Sequence, residues 1–121
     1  MIKLTFCLVR QPHLTREAFQ QYWFKTHAPL VASVKDTLRI RRYVQMHSLP
    51  PDVSETLRTA RQGPEGFDGV AQLWWDSFED MASADPAAAA EAGRLLLEDE
   101  RKFIDLPRSP LWVGSEHEIF G

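Results

Sequence analysis

The sequence predicts an α+β domain in which a four-stranded antiparallel sheet carries helices on one face. Three observations predict it. Residues 2–9, 40–47, 70–75 and 112–120 carry the continuous or alternating apolar patterns of short strands. A helical stretch separates the first strand from the second, and another separates the third from the fourth. Between the second and third lies only a segment rich in Pro, Gly, Ser and charge. The order β-α-β-β-α-β is the ferredoxin-like split βαβ arrangement.

Residues 2–9 form an unbroken apolar run closed by Arg10, Gln11 and Pro12, which suits a strand buried on both faces. Thr15 is placed to cap a helix, and Glu17 puts a negative charge in its first turn. Phe19, Trp23 and His27 recur at i, i+4 and i+8 and share one helix face, with Tyr22 beside it. Pro29 has no amide hydrogen and clashes with the preceding turn, so the helix kinks near His27 or restarts at Pro29. Leu30, Val31, Val34 and Leu38 then continue with helical spacing.

Across residues 40–47, Arg41, Tyr43, Gln45 and His47 alternate with Ile40, Arg42, Val44 and Met46. Residues 49–66 read as a long loop with room for a short helix, of a length often used as a lid or pocket rim. Asp68-Gly69 marks a turn. In the third strand, Gln72 and Trp74 share one face; Ala71, Leu73 and Trp75 share the other. Ser77 with Asp80 makes a capping box, and Asp85-Pro86 starts a helix that an alanine run propagates. Leu96, Asp99 and Phe103 continue one face of it, and Pro107 and Pro110 end it. Residues 112–120 close the chain as the fourth strand.

The chain's 121 residues suit a single domain, spanning 1–121. A net charge of −3, with Arg39, Arg41 and Arg42 as the one dense basic patch, argues against nucleic-acid binding. One cysteine, Cys7, cannot form an internal disulfide, and the first ten residues are too short to span a membrane. A cytoplasmic protein without membrane contact is the expectation. Two helices cover only one face of a four-stranded sheet, which leaves the other as an apolar patch. A symmetric homodimer through that sheet face is the simplest cover; the alternative is the 49–66 loop folded over it.

Nucleotide and metalloprotease motifs are absent, as are CxxC pairs and nucleophile elbows, and the four histidines are not spaced as a metal set. No cofactor and no metal is expected. His27 should point at the sheet among aromatics, where an imidazole titrates at or below neutrality and suits a general base; the plainer role is a core histidine bonded to backbone. Tyr43, Gln45 and His47 present a phenol, an amide and an imidazole in one row, able to orient an oxygenated small molecule. Of Trp74 and Trp75, one belongs to the core and the other to a pocket or dimer contact. Asp99 and Glu100, placed where they could pair with Arg residues, read first as a solvated helix face, and Cys7 as an inert buried thiol.

Several stretches together resemble the EthD family. They are Phe19-x-x-Tyr22-Trp23-x-x-x-His27-x-Pro29-Leu30, Arg42-Tyr43-x-Gln45, residues 68–77 (DGVAQLWWDS) and Asp99-Glu100-x-x-Phe103-x-Asp105. The resemblance implies a dimeric α+β barrel. It also implies a superfamily of cofactor-free oxygenases, lactone isomerases, and dehydratases or decarboxylases of polyketide pathways. It makes His27 the acid/base candidate and Tyr43 a pocket tyrosine.

From residues and resemblance together, the expected function is a cofactor-independent enzyme. Its substrate is a small aromatic, polyketide or lactone-type molecule, and its chemistry is His27-mediated proton abstraction. Oxygenation, isomerisation and elimination are the open outcomes. Tyr43 and Gln45 would donate hydrogen bonds to the developing oxyanion. Trp23 and Trp74 would form an apolar wall, with His47, Gln72 and Arg41 completing the substrate contacts. Two alternatives stand beside this: a non-catalytic small-molecule-binding or stress-related protein, and a haem-binding barrel with His27 or His47 as axial ligand.

Overall fold

β1 (Ile2–Leu8) runs through the sheet interior in the computed structural model, which describes residues 1–121. It pairs antiparallel with β3 (Gly69–Trp75) on one side and β4 (Leu111–Ser115) on the other. β2 (Arg42–His47) pairs antiparallel with β3 and forms one edge, giving the order β2-β3-β1-β4. This is the predicted ferredoxin-like α+β fold. β4 is shorter than expected: the strand ends at Ser115, and residues 116–121 lie outside it.

The first helical stretch is built in pieces. α1 (Arg16–Tyr22) begins where the Thr15 hydroxyl accepts from the Ala18 amide at 3.1 Å. Residues Trp23–His27 then open into a single π turn, followed by α2 (Ala28–Ser33) and α3 (Lys35–Leu38). In the π turn the Ala28 amide donates to the Trp23 carbonyl, five residues back. Pro29 supplies the reason for the irregularity, since it has no amide hydrogen for the regular ladder. Arg39 ends α3 in the left-handed region at φ 62° and turns the chain into β2.

Residues 49–66 are more ordered than a loop. α4 (Pro51–Ala60) is a ten-residue helix, started by consecutive prolines. It lies along the surface, with Val53 and Leu57 exposed. α5 (Phe78–Ala82) is capped by Ser77, whose hydroxyl accepts from the Asp80 amide at 2.9 Å. α6 (Pro86–Phe103) is capped by Asp85, which accepts from the Ala88 amide at 3.0 Å.

The helices cover one face of the sheet. Leu8, Phe19, Trp23, Ala71, Phe103 and Ile104 form one buried cluster, joined at its edge by Tyr43. Val31, Ile40 and Trp75 form a second, with Leu96 and Tyr43 against it. Gly69 is fixed by close approach: a Cβ there would lie 2.4 Å from the Trp23 ring and 2.9 Å from the Met46 carbonyl oxygen.

By register, the helix-free face carries Lys3, Thr5, Val44, Met46, Val70, Gln72, Trp74 and Trp112. Met46 and Trp112 stay more than half exposed there. Trp74 is covered on that face by the Lys3 ammonium and the Arg42 guanidinium, 4.9 and 4.6 Å from its ring, and its indole N–H donates to Glu116. Trp75 faces the helices and donates to the Leu38 carbonyl at 2.7 Å. No helix is long and apolar enough to cross a membrane.

Candidate active site

His27 closes the π turn, where its side chain is buried against α6. Its Nδ1 lies 2.7 Å from Oδ2 of Asp99, and the ring packs 5.0 Å from Phe103. Tyr22 donates its hydroxyl hydrogen to the other Asp99 oxygen at 2.6 Å. Lys102 stands 3.6 Å from the same oxygen, from one turn further along α6. Asp99 is therefore a buried carboxylate shared by a phenol, an imidazole and an ammonium.

Burial disfavours the imidazolium and lowers the His27 pKa below its ordinary value, while the Asp99 hydrogen bond and charge oppose the shift without overcoming it. Burial alone would raise the Asp99 pKa. The hydrogen bonds from Tyr22 and His27, with the charges of His27 and Lys102, outweigh it and hold the carboxyl below its usual range. Tyr22, partly buried and donating to Asp99, is pushed up to about 12 by desolvation and by that bond and charge, and remains a donor. A carboxylate only accepts, so the neutral imidazole carries its proton on Nδ1 and its lone pair on Nε2. Nε2 makes no hydrogen bond, yet no buried polar side-chain atom is left unpaired. Its edge is thus accessible, and the ring is arranged as a base.

The polar row on β2 faces the same helices. The Gln45 amide nitrogen donates to the Trp23 carbonyl at 3.0 Å and to the Tyr43 hydroxyl at 2.7 Å. A carbonyl only accepts, so the amide orientation is fixed, and Gln45 Oε1 receives a hydrogen from His47 Nε2 at 2.7 Å. His47 stacks on Trp23 with ring centroids 4.7 Å apart. Tyr43 is an acceptor toward Gln45, which leaves its own hydrogen for another acceptor. Burial raises its pKa, keeping the phenol protonated. A cavity of about 450 Å³ opens here, lined by Phe24, Ala28, Tyr43, Gln45 and His47. Ala28 is the residue after His27, so the cavity abuts the π turn.

The structure brings His27, Trp23, Tyr43, Gln45 and His47 onto the helix side of the sheet and separates the other three expected contacts from them. Gln72 and Trp74 project from the opposite face, because β3 pairs Gln72 with Val44 and Trp74 with Arg42. Arg41 precedes β2, is exposed, and pairs with Asp76 at 3.4 Å. Two roles also change. Both hydrogens of the Gln45 amide are committed, to the Trp23 carbonyl and the Tyr43 hydroxyl, so Gln45 has none free for a ligand. The Trp23 ring is core, packed over Gly69.

Asp99 was expected to be solvated, and the structure buries it. Its signal lay in the spacing: Leu96, Asp99 and Phe103 put one acid on an apolar stripe, and a carboxylate there needs partners. No three His, Cys, Asp or Glu side chains are gathered in a way that would hold a metal ion.

The EthD domain model matches residues 11–107. A conidial pigment biosynthesis dehydratase EthD of Metarhizium robertsii is 28% identical over 126 residues, covering 98% of this chain and 84% of that protein. Among solved structures, an ethyl tert-butyl ether d (ethd) family protein of Bacillus halodurans C-125 superposes with TM-score 0.61 at 21% identity, covering 97% of this chain and 100% of the other. An ethd-like protein of Ralstonia eutropha JMP134 superposes with TM-score 0.62 at 18% identity, covering 93% and 88%. A dimeric protein of unknown function and ferredoxin-like fold from Bacteroides fragilis gives 0.54 at 12%, covering 95% of each chain. At these identities the structures share the fold, whereas the matched span of 97 residues runs from before α1 to beyond α6, and by it this chain belongs to the EthD domain family.

Proposed function

We propose that this protein is a cofactor-independent enzyme that removes a carbon-bound or phenolic proton from a small aromatic, polyketide or lactone-type molecule. The observation that carries the proposal is the His27–Asp99 pair. A buried neutral imidazole, held through Nδ1 by a carboxylate and open at Nε2, is the arrangement of a general base.

The substrate's carbonyl or phenol oxygen accepts the free hydrogen of Tyr43. As His27 takes the proton, negative charge grows on that oxygen, and the Tyr43 hydroxyl stabilises it. Gln45 and His47 hold the phenol in place through the amide. Asp99 stabilises the imidazolium as it forms. Isomerisation, elimination, or reaction of the carbanion with oxygen can each follow from the same first step. The dehydratase named among the relatives gives support to elimination.

We assign the helix-free sheet face to a symmetric homodimer, since Met46 and Trp112 stay more than half exposed on it; the Bacteroides relative is described as dimeric.

The test is a thermal-shift screen of phenols, lactones and aromatic polyketides against wild type and His27→Ala, read together with product formation and solvent-deuterium incorporation. Binding by both proteins, with exchange and turnover by the wild type only, is the expected result. Binding by both with neither exchange nor turnover would refute the enzymatic proposal in favour of a binding protein.

A further inference from the structure

Glu100 is a carboxyl in an unusual place. It follows Asp99 on α6, four residues after Leu96 and three before Phe103. Leu96 packs on the cluster of Val31, Ile40 and Trp75, and Phe103 belongs to the cluster of Phe19 and Trp23. Tyr43 touches both clusters. On a helix, residues at i, i+4 and i+7 share a stripe, so Glu100 lies on the sheet-facing side of α6, at the level of Tyr43. Glu100 is half-buried yet makes no side-chain hydrogen bond and no ion pair, although ten ion pairs form elsewhere in the chain. Like Nε2 of His27, it is not sealed. An apolar residue would pack better here, and a salt bridge would satisfy the charge better.

We propose that Glu100 is the proton donor of this site and that the reaction class is β-elimination of water from a β-hydroxy ketone. The inference rests on the assignment of His27 as base. His27 Nε2 takes a proton from the carbon next to the carbonyl, and the C–H electron pair forms an enolate whose oxygen accepts from Tyr43. The enolate then restores the carbonyl and forms the α,β double bond, and the C–O bond to the β-hydroxyl breaks. The departing oxygen takes the Glu100 proton and leaves as water. His27 has gained one proton and Glu100 has lost one, so solvent resets the pair and no oxidant or reductant is needed.

The protonation state fits this role. Burial, followed by the charge of Asp99, pushes the Glu100 pKa up to about 7, so the acid form is populated near neutrality. The titratable groups facing it are Asp99 on its own helix and Tyr43 on β2, whose phenol is raised in part by the Glu100 charge. His27 lies across Asp99. Base and acid thus have separate environments, both set by burial beside one fixed carboxylate.

The probes are 3-hydroxy-1-tetralone and 3-acetoxy-1-tetralone, both deuterated at C2. Each yields 1-naphthol on elimination, but acetate leaves without a proton. Glu100→Gln should lower naphthol formation from the hydroxy compound by about 100-fold or more, the lower range for a general acid. It should leave the acetoxy reaction within about threefold of wild type, on the same scale. His27→Gln should lose both reactions and the C2 deuterium wash-out. Should Glu100→Gln fail to fold, Glu100→Asp carries the same comparison, with a smaller loss confined to the hydroxy compound. Equal loss on both probes, or loss on neither, overturns Glu100 as the donor. His27-dependent elimination of acetate by a wild type that cannot expel hydroxide also overturns it, while leaving the base assignment standing. A wild type that neither exchanges deuterium nor expels acetate removes the base assignment and this inference with it.

Discussion

Replacing Asp99 with Asn tests the centre of the site with little change in volume. Asp99 accepts from His27 Nδ1 at 2.7 Å and from the Tyr22 hydroxyl at 2.6 Å. Asparagine can keep one acceptor but not the charge. While the imidazole is neutral the loss is modest. When Nε2 takes a proton, the ring becomes a buried cation, and Asp99 is the one carboxylate hydrogen-bonded to it. Hydrogen bonds to charged groups contribute about 1.5–3 kcal/mol. If that energy is realised in the transition state, the rate falls by about 10- to 150-fold, mainly in kcat.

The direction of titration is fixed as well. Burial lowers the His27 pKa and Asp99 opposes it. Asp99→Asn should therefore move the His27 midpoint further down and carry the acid limb of the rate profile to lower pH. Carbon-13 NMR of the labelled imidazole follows the first, and C2 deuterium wash-out from 1-tetralone across pH follows the second. An unchanged His27 midpoint together with exchange within about threefold of wild type, well under that range, would refute the assigned role of Asp99.

Tyr43→Phe removes the one unsatisfied donor in the cavity; wash-out should fall by about 10- to 1000-fold, while a thermal melt changes little, since Gln45 retains the Trp23 carbonyl. Gly69→Ala forces a methyl into the Trp23 ring and should destabilise by about 1–3 kcal/mol in urea melts, with altered indole fluorescence. Glu100→Gln should be stabilising at pH 8 but not at pH 4. A carboxyl whose folded pKa is raised to about 7 contributes stability below its unfolded pKa and loses it as pH rises through 7. The gain at pH 8 is at most about 3 kcal/mol, and equal melting of the two proteins at both pH values would contradict it.

The fold was legible because it rests on local patterns. Apolar runs and alternation gave four strands, while Thr15, Ser77 and Asp85 marked helix starts through bonds spanning three residues. Pro29 announced the irregular turn at His27, because a missing amide hydrogen is visible in sequence. Residues 49–66 were less legible: α4 is exposed along its length, so no apolar stripe facing the core advertised it.

The sequence by itself determined the α+β architecture, the helix face that holds His27, and the strand face that holds Tyr43, Gln45 and His47. All follow from periods of 3.6 and 2 within single elements. The tertiary structure alone decided what those side chains meet. Asp99 reaches His27 across 72 positions of chain, and its burial converts an acid that reads from sequence as solvated into the partner of a base. The pairing of β2 with β3 sent Gln72 and Trp74 to the far side of the sheet. The packing of α6 over the sheet left Glu100 without a counter-charge. Burial and counter-charge belong to the assembled fold, because the field at a carboxyl depends on every element packed around it.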